Sequence, residues 1–285
     1  LGDFSYQWFA GDVAITNATE STLTLSQAEV DKVITVKVSY TDGYGASEEL
    51  TSSASAAVVN VNDAPTISTT ASLTTAEDTA TAAIAFSGTD VDGDTLTFSF
   101  SDPAKGSVVD NGDGTFSYTP DANVNGSDSF TITANDGTAD VTETVNVAIT
   151  AVNNLPTGSV TISGTATQGE TLTVVPSALS DADGLGSFSY QWLRDGVEIT
   201  SGEGSTSNPD MTGYTLISAD VGSQISVRVS YTDGGGASES VTSAATTAVL
   251  NVNDAPAGAV TITGTAAEGE TLTVVPSALS DADGL

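Results

Sequence analysis

The sequence has no cysteine and no histidine, one methionine, two tryptophans and only 5 Lys+Arg in 285 residues. Without cysteine there are no disulfides and no thiolate metal sites. Without histidine there is no imidazole catalysis and no imidazole pH switch. The lack of cysteine does not by itself indicate a reducing compartment, because secreted bacterial repeat proteins often use none. No apolar run approaches the ~20 residues of a membrane-spanning helix. No window carries the apolar stripe of an amphipathic helix. The cations are Lys32, Lys37, Lys105, Arg194 and Arg228; 37 Asp+Glu stand against them, for a net charge of -32. Such a balance repels nucleic acid and anionic membrane surfaces, so neither is an expected partner. It also opposes the compact state unless something neutralises it, and divalent cations or salt are the obvious agents.

What is present is repetition. Residues 157–185 and 257–285 match at an offset of 100 with five differences. Residues 1–65 match 185–256, with seven extra residues in the later copy (72 against 65). Leu1 and Leu285 both answer to Leu185, so the chain reads as a window from a longer repetitive protein. The expected division is a module lacking its first strands at 1–64, an unlike module at 65–155, a complete module at 156–255 and first strands again at 256–285. Strands are signalled by alternation, as in Val33-Ile34-Thr35-Val36-Lys37-Val38 and Ile225-Ser226-Val227-Arg228-Val229. Asp195-Gly196 and Asn111-Gly112-Asp113-Gly114 signal hairpin turns. Ala28–Asp31 and Ala219–Gly222 allow at most one helical turn each. Short strands in modules of about 100 residues indicate an all-β chain of tandem β-sandwich modules joined end to end. Trp8 and Trp192, in Tyr-Gln-Trp strands, are expected in the cores; a sugar-stacking platform is the sharper reading, disfavoured by the regular strand around them.

Between modules stands one recurring stretch, Val59-Asn60-Val61-Asn62-Asp63-Ala64-Pro65, repeated as Leu250–Pro256 and more loosely as Val152-Asn153-Asn154-Leu155-Pro156. The proline ends a strand and holds the next residues extended. Acidic residues keep a fixed order around these joints. One module has Glu77, then Asp90-Val91-Asp92-Gly93-Asp94, then Asp136-Gly137; the other has Glu170, then Asp181-Ala182-Asp183-Gly184, then Asp233-Gly234. As turn residues Asp-Gly and Asn-Asp need no further role. The shared four-part order in unlike modules favours a metal instead. Ca2+ takes 6–8 oxygen ligands, and no softer ligand is available for zinc or copper. An EF-hand does not fit, because Gly93 is at the fourth loop position and Ser101 at the twelfth.

Residues 66–156 resemble the bacterial cadherin-like repeats of very large secreted proteins, through Asn62-Asp63-Ala64-Pro65, Glu77-Asp78, Asp90–Asp94, Asn111–Pro120, Gly126–Phe130 and Asn135-Asp136-Gly137. The other module resembles Ig-like repeats of the giant calcium-binding (RTX-type) adhesins exported by type I secretion, through Gly169–Leu172, Leu179–Gly184, Phe188–Trp192 and Ser230–Gly234. The resemblance implies Ca2+ between successive modules. It assigns Asn62, Asp63, Asp90, Asp92 and Asp136 to the first joint. It assigns Glu77, Asn153, Asn154, Asp181, Asp183 and Asp233 to the second, and Glu170, Asn253, Asp254, Asp281 and Asp283 to the third. Asp94 and Asp128 are further oxygen donors it admits. Asn154 stands where the other joints have aspartate, so the second joint carries one charge fewer and is expected to bind calcium more weakly.

The function expected is mechanical: spacer modules of a secreted, extracellular protein of the bacterial cell surface or biofilm matrix, stiffened by Ca2+. The alternative is an adhesive module binding carbohydrate or protein, for which the one candidate surface is the insertion at 201–211. Glycoside hydrolysis by paired carboxylates is the enzymatic reading, and the repetition of the acids at joints speaks against it. The expected partners are neighbouring modules, or further copies in a head-to-tail filament.

Overall fold

The computed structural model describes residues 3–200, 212–276 and 279–281. The chain forms two compact units, Leu1–Ala151 and Val152–Leu285.

The first unit opens with β1 (Ser5–Ala10), β2 (Val13–Ala14), β3 (Ile34–Thr41) and β4 (Ser47–Thr51), in one sheet of order β2-β1-β3-β4. A single 3-10 turn at Gln27–Glu29 precedes β3, capped by Ser26 and by the Glu29 carboxylate. After the first joint come β5 (Thr66–Thr69), β6 (Ser72–Ala76), β7 (Ile84–Thr89), β8 (Thr97–Phe100), β9 (Gly106–Asp110), β10 (Thr115–Pro120), β11 (Gly126–Asn135) and β12 (Asp140–Thr150). They form two sheets, β5-β7-β10-β9 and β6-β12-β11-β8. All pairings in these two sheets are antiparallel except β6 with β12, which run parallel. Alternate residues of β10, β11 and β12 point inward and build a core around Phe86, Phe116, Tyr118, Phe130, Ile132 and Val145. Phe116 and Phe130 meet edge to face at 5.5 Å, a geometry that suits the ring quadrupoles.

The second unit holds β13 (Thr161–Ser163), β14 (Thr171–Val175), β15 (Ser189–Arg194), β16 (Val197–Glu198), β17 (Gly213–Thr215), β18 (Ile225–Thr232) and β19 (Ser238–Thr242). Sheets β13-β14-β17 and β16-β15-β18-β19 enclose Trp192, Tyr214, Leu172, Val227 and Val229. Asp195 and Gly196, at φ +50 and +80, make the tight turn between β15 and β16. A buried acid, Asp220, accepts from Arg194 Nε at 2.7 Å, from the Tyr214 hydroxyl at 2.8 Å and from the Ile217 N–H at 2.8 Å. Removing Arg194 would strand that charge in the core. The hairpin β20 (Thr261–Thr263) and β21 (Thr273–Val275) repeats the register of β13 and β14, with Thr261 opposite Val275 as Thr161 is opposite Val175.

The two tryptophans differ. Trp192 is fully buried against Tyr214, whereas Trp8, expected in a core, is half-buried. The reason is the layer above it. Sheet β2-β1-β3-β4 repeats β16-β15-β18-β19 strand for strand, but among the described residues of the first unit no counterpart of β13-β14-β17 faces it. The same contrast appears in the repeated hairpins. Leu172 and Val174 are 0% and 5% exposed; Leu272 and Val274 are 49% and 62%. Accordingly Trp192→Ala is expected to cost ~3–5 kcal/mol, and Trp8→Ala distinctly less. Chemical denaturation followed by far-ultraviolet circular dichroism would show it, and equal costs would contradict the difference in packing.

Candidate metal centres

In the first unit the pairing of Thr66 with Thr89 lays the start of β5 beside the end of β7. The Asn62-Asp63 joint therefore lies against the Asp90–Asp94 turn. That turn is closed by Asp90 Oδ1, which accepts the N–H of Asp92 at 2.8 Å and of Asp94 at 3.3 Å, with Gly93 at φ +80. The main chain of the joint bonds to it: the Asp63 N–H donates to Asp92 Oδ2 at 2.7 Å. The end of β11 arrives at the same place. Asp136 Oδ1 accepts the N–H groups of Thr138 and Ala139, both at 2.6 Å, and Asp136 Oδ2 accepts the Asn62 amide at 3.0 Å. The Ala139 N–H above all, then the Asn62 amide and the Thr138 N–H, hold the Asp136 carboxyl below its ordinary range. Asn62, Asp63, Asp90, Asp92 and Asp136 are thus brought together. Oxygens of Asp90, Asp92 and Asp94 lie within 4.8 Å of one another.

The second unit builds the same frame from a different sequence. Thr157 bridges Ser180, which lays the joint beside the Asp181–Gly184 turn. Asp181 Oδ1 accepts the Asp183 N–H at 2.9 Å, and Asp183 Oδ2 accepts the Asn154 N–H at 2.6 Å. The turn after β18 closes the site, with the Gly234 N–H on the Asp183 carbonyl at 3.0 Å. A β-carbon at Gly234 would lie 2.4 Å from that carbonyl oxygen, so only glycine fits. Asp233 Oδ1 accepts the Ala237 N–H at 2.8 Å. Oxygens of Asp181, Asp183 and Asp233 lie within 4.8 Å of one another. Asn153 turns outward to Glu239, its amide 2.8 Å from Oε1. One member escaped the sequence reading: the Tyr231 hydroxyl donates to Asp181 Oδ2 at 2.5 Å. Its signal was its place two residues before Asp233, on the same strand face. Burial first, then this bond to the Asp181 carboxylate, push the Tyr231 phenol up, so it remains a donor at all ordinary pH.

The third joint is described in part. Asp254 Oδ2 accepts the Gln168 amide at 2.9 Å, Asn253 donates to the Asp254 carbonyl at 3.0 Å, and Asp281 is half-buried. Gln168 was not anticipated, whereas Glu170 is exposed. Asp283 and the insertion at 201–211 lie outside the described residues. In its own unit Glu77 is 2% exposed, its N–H on the Thr150 carbonyl at 3.0 Å.

The donor sets suit a hard cation. Asp90 Oδ2, Asp92 Oδ1 and Asp233 Oδ2 are buried carboxylate oxygens without a hydrogen-bond partner. A buried oxygen left so is costly. The protein's own cations are engaged elsewhere. Lys32 bonds to the Ala28 carbonyl, Lys37 to Glu49, Lys105 to the Asn125 carbonyl, Arg194 to Asp220 and Arg228 to Glu198. Asp128, by contrast, is a structural acid. Its oxygens take the Tyr118 hydroxyl at 2.7 Å and the N–H groups of Lys105, Ser129 and Ala104 at 2.9, 2.9 and 3.1 Å.

Comparison with known proteins gives a family-model match over one part of the chain. Residues 62–152 match the family model described as bacterial cadherin-like domain. No curated protein matches the chain. Among solved structures, the I-band fragment I67-I69 of titin is similar at 10% identity, over 87% of this chain and 88% of its own, with TM-score 0.34. A protocadherin gammaB7 EC3-6 structure is similar at 16% identity, over 91% of this chain and 68% of its own, with TM-score 0.40. An endo-fucoidan hydrolase of glycoside hydrolase family 107 is similar at 18% identity, over 88% of this chain and 42% of its own, with TM-score 0.30. At these TM-scores none of the three bears on function.

Asp128 yields a pH test away from the clusters. Burial alone would raise its carboxyl, but the hydrogen bonds from Tyr118, Ser129, Lys105 and Ala104 outweigh burial and hold it below the usual range. A depressed native value makes its contribution complete above the unfolded carboxylate value of about 3.9. The contribution is lost as pH falls through the lower native value. Acid unfolding below about pH 4 should therefore be shallower in Asp128→Asn than in the parent chain. Parallel acid profiles would refute this assignment.

Proposed function

We propose that the chain is a run of extracellular spacer modules in a long bacterial surface or matrix protein, stiffened by Ca2+ at the acidic joints. The observation that carries this reading is the set of buried, unpartnered oxygens of Asp90, Asp92 and Asp233, in a chain whose 5 Lys+Arg are committed elsewhere. Calcium is the hard cation that suits carboxylate, amide and carbonyl oxygens at irregular number. The ligand assignment keeps Asn62, Asp63, Asp90, Asp92 and Asp136 for the first centre. It keeps Asn154, Asp181, Asp183 and Asp233 for the second, with Asp94 a candidate for the first. Glu77, Asn153, Glu170, Asn253, Asp254, Asp281 and Asp283 remain proposals of the resemblance alone. The match of residues 62–152 to the bacterial cadherin-like domain supports both the location and the mechanical role. Among the described residues no helix is long and apolar enough to cross a membrane. We assign no catalytic role, because the same acids recur at equivalent ends of unlike modules.

At the joint of the first unit, metal would replace repulsion with attraction between the strip at 62–63 and the turns at 90–94 and 136–137. The joint would then hold one angle instead of many. With Kd near 10⁻⁴–10⁻³ M, ~10 mM calcium would stabilise each site by about 1.4–2.7 kcal/mol. Melting should rise by several degrees with calcium over chelator, and small-angle scattering should report different maximum dimensions. An unchanged melting curve would remove the metal from this account. Asp233→Asn separates charge from structure. It should raise stability in chelator, by on the order of 1–3 kcal/mol of relieved repulsion, and diminish the calcium-induced gain.

The apolar face around Trp8 and the face of β20 and β21 are the surfaces that pack against one another in the complete module. The partner proposed for each is accordingly another copy of that repeat, in the same or a second chain. Light scattering over a concentration series tests the second case, and a constant monomer mass up to high concentration would exclude it.

A further inference from the structure

The two centres share a main-chain frame but differ in one tether. In the first, Asp90 is held through Oδ1 alone, its Oδ2 being buried without a bond. The residue two before Asp136 is Ala134, fully buried and without a side-chain donor. In the second, Asp181 is held at both oxygens, by the Asp183 N–H and by the Tyr231 hydroxyl. Tyr231 is itself 5% exposed and belongs to the core of the Ig-like module. Its ring meets Phe188 edge to face at 5.7 Å, and Phe188 follows the Asp181–Gly184 turn. Beside it Asp233, 6% exposed, presents Oδ2 without a partner. A hydroxyl anchored in the core thus fixes the plane of one carboxylate in a cluster that needs a cation.

We propose that Tyr231 is a positioning residue of the Asp181–Asp183–Asp233 centre, orienting the Asp181 carboxylate for a divalent cation and coupling occupancy of that centre to the core. This rests on the reading that the cluster binds a cation. Groups that orient a ligand from behind typically set metal affinity by about 10–100-fold. The carboxylate oxygen keeps a second lone pair, so the phenol and the cation can share it. The repeat also supplies a matched control. Tyr40 holds the same position on β3 and packs on Phe4 edge to face at 5.7 Å, and its strand runs on to Asp42 as that of Tyr231 runs on to Asp233. Asp42 spends Oδ1 on the N–H groups of Tyr44 and Ala46.

The test is a calorimetric titration of the whole 285-residue chain with Ca2+. Tyr231→Phe keeps the ring and deletes one oxygen. It should weaken one class of sites by about 10–100-fold and leave the remaining class unchanged. Tyr40→Phe should leave both classes as in the parent chain. Terbium luminescence excited through tyrosine, and displaced by calcium, should fall in Tyr231→Phe and persist in Tyr40→Phe. A Tyr231→Phe titration superimposable on the parent would overturn the proposal and leave the metal centre standing. Equal losses in both variants would make the effect independent of the bond to Asp181 and would also overturn it. A parent chain that takes up no calcium would instead remove the reading on which the proposal rests.

Discussion

Carboxylates gathered while every Lys and Arg bonds elsewhere are the constraint that governs the joints of this chain. Two like charges a few ångströms apart repel by several kcal/mol at the effective dielectric of a protein surface. Among the described residues clusters of three are assembled twice, the first with two buried carboxylate oxygens left unbonded and the second with one. The strands do not require this arrangement, since their cores close without it. The turns do not require it either, because one aspartate suffices to close each of them through its own main-chain bonds. The surplus oxygens are therefore a cost to the metal-free chain. A bound cation would turn that cost into cohesion, which is the physical content of the proposed calcium-stiffened joint.

Burial in the repeats depends on partners as much as on sequence. The hairpin β13–β14 and the hairpin β20–β21 have nearly the same sequence and the same register, yet only the first has its leucine and valines covered. Backbone pairing is thus local in this fold, and the facing sheet confers the hydrophobic contribution. A buried Leu or Val contributes about 1.5–3 kcal/mol that an exposed one does not. Trp8 and Trp192 tell the same story from the opposite sheet.

Much of this was legible in the residues. Strand alternation, the Asp195-Gly196 turn and the 3-10 turns at Gln27–Glu29 and Ser218–Asp220 follow local rules, and they appear where alternation and turn chemistry put them. The meeting of Asn62 with Asp136, 74 residues apart, was legible through the resemblance to cadherin-like repeats, which implies one joint for both; the shared order of acids in unlike modules pointed only to a metal. Tyr231 was passed over despite its place two residues before Asp233, because a tyrosine in a strand is ordinarily core. In the structure its hydroxyl, aimed at Asp181, separates it from the neighbouring core residues. Gln168 escaped for a similar reason: an amide near a glycine turn gives no pattern of its own. Expected core burial at Trp8 failed because alternation reports which face a residue is on, and is silent on whether another layer covers that face.

Asn154 shows how geometry and charge divide the work at the joints. Its main-chain N–H bonds Asp183 at 2.6 Å, as that of Asp63 bonds Asp92 at 2.7 Å. The frame is therefore indifferent to whether the side chain is an amide or a carboxylate. What changes is charge: the second centre is built with one carboxylate fewer at that position. It is also the centre in which Asp181 is pinned by a buried phenol. Fewer charges weaken the pull on a cation, and a fixed ligand plane lowers the cost of ordering it. On a bound cation the two departures would act in opposite directions. A main-chain frame of this kind lets unlike modules present the same acidic cluster while their side chains set its charge and its tethers.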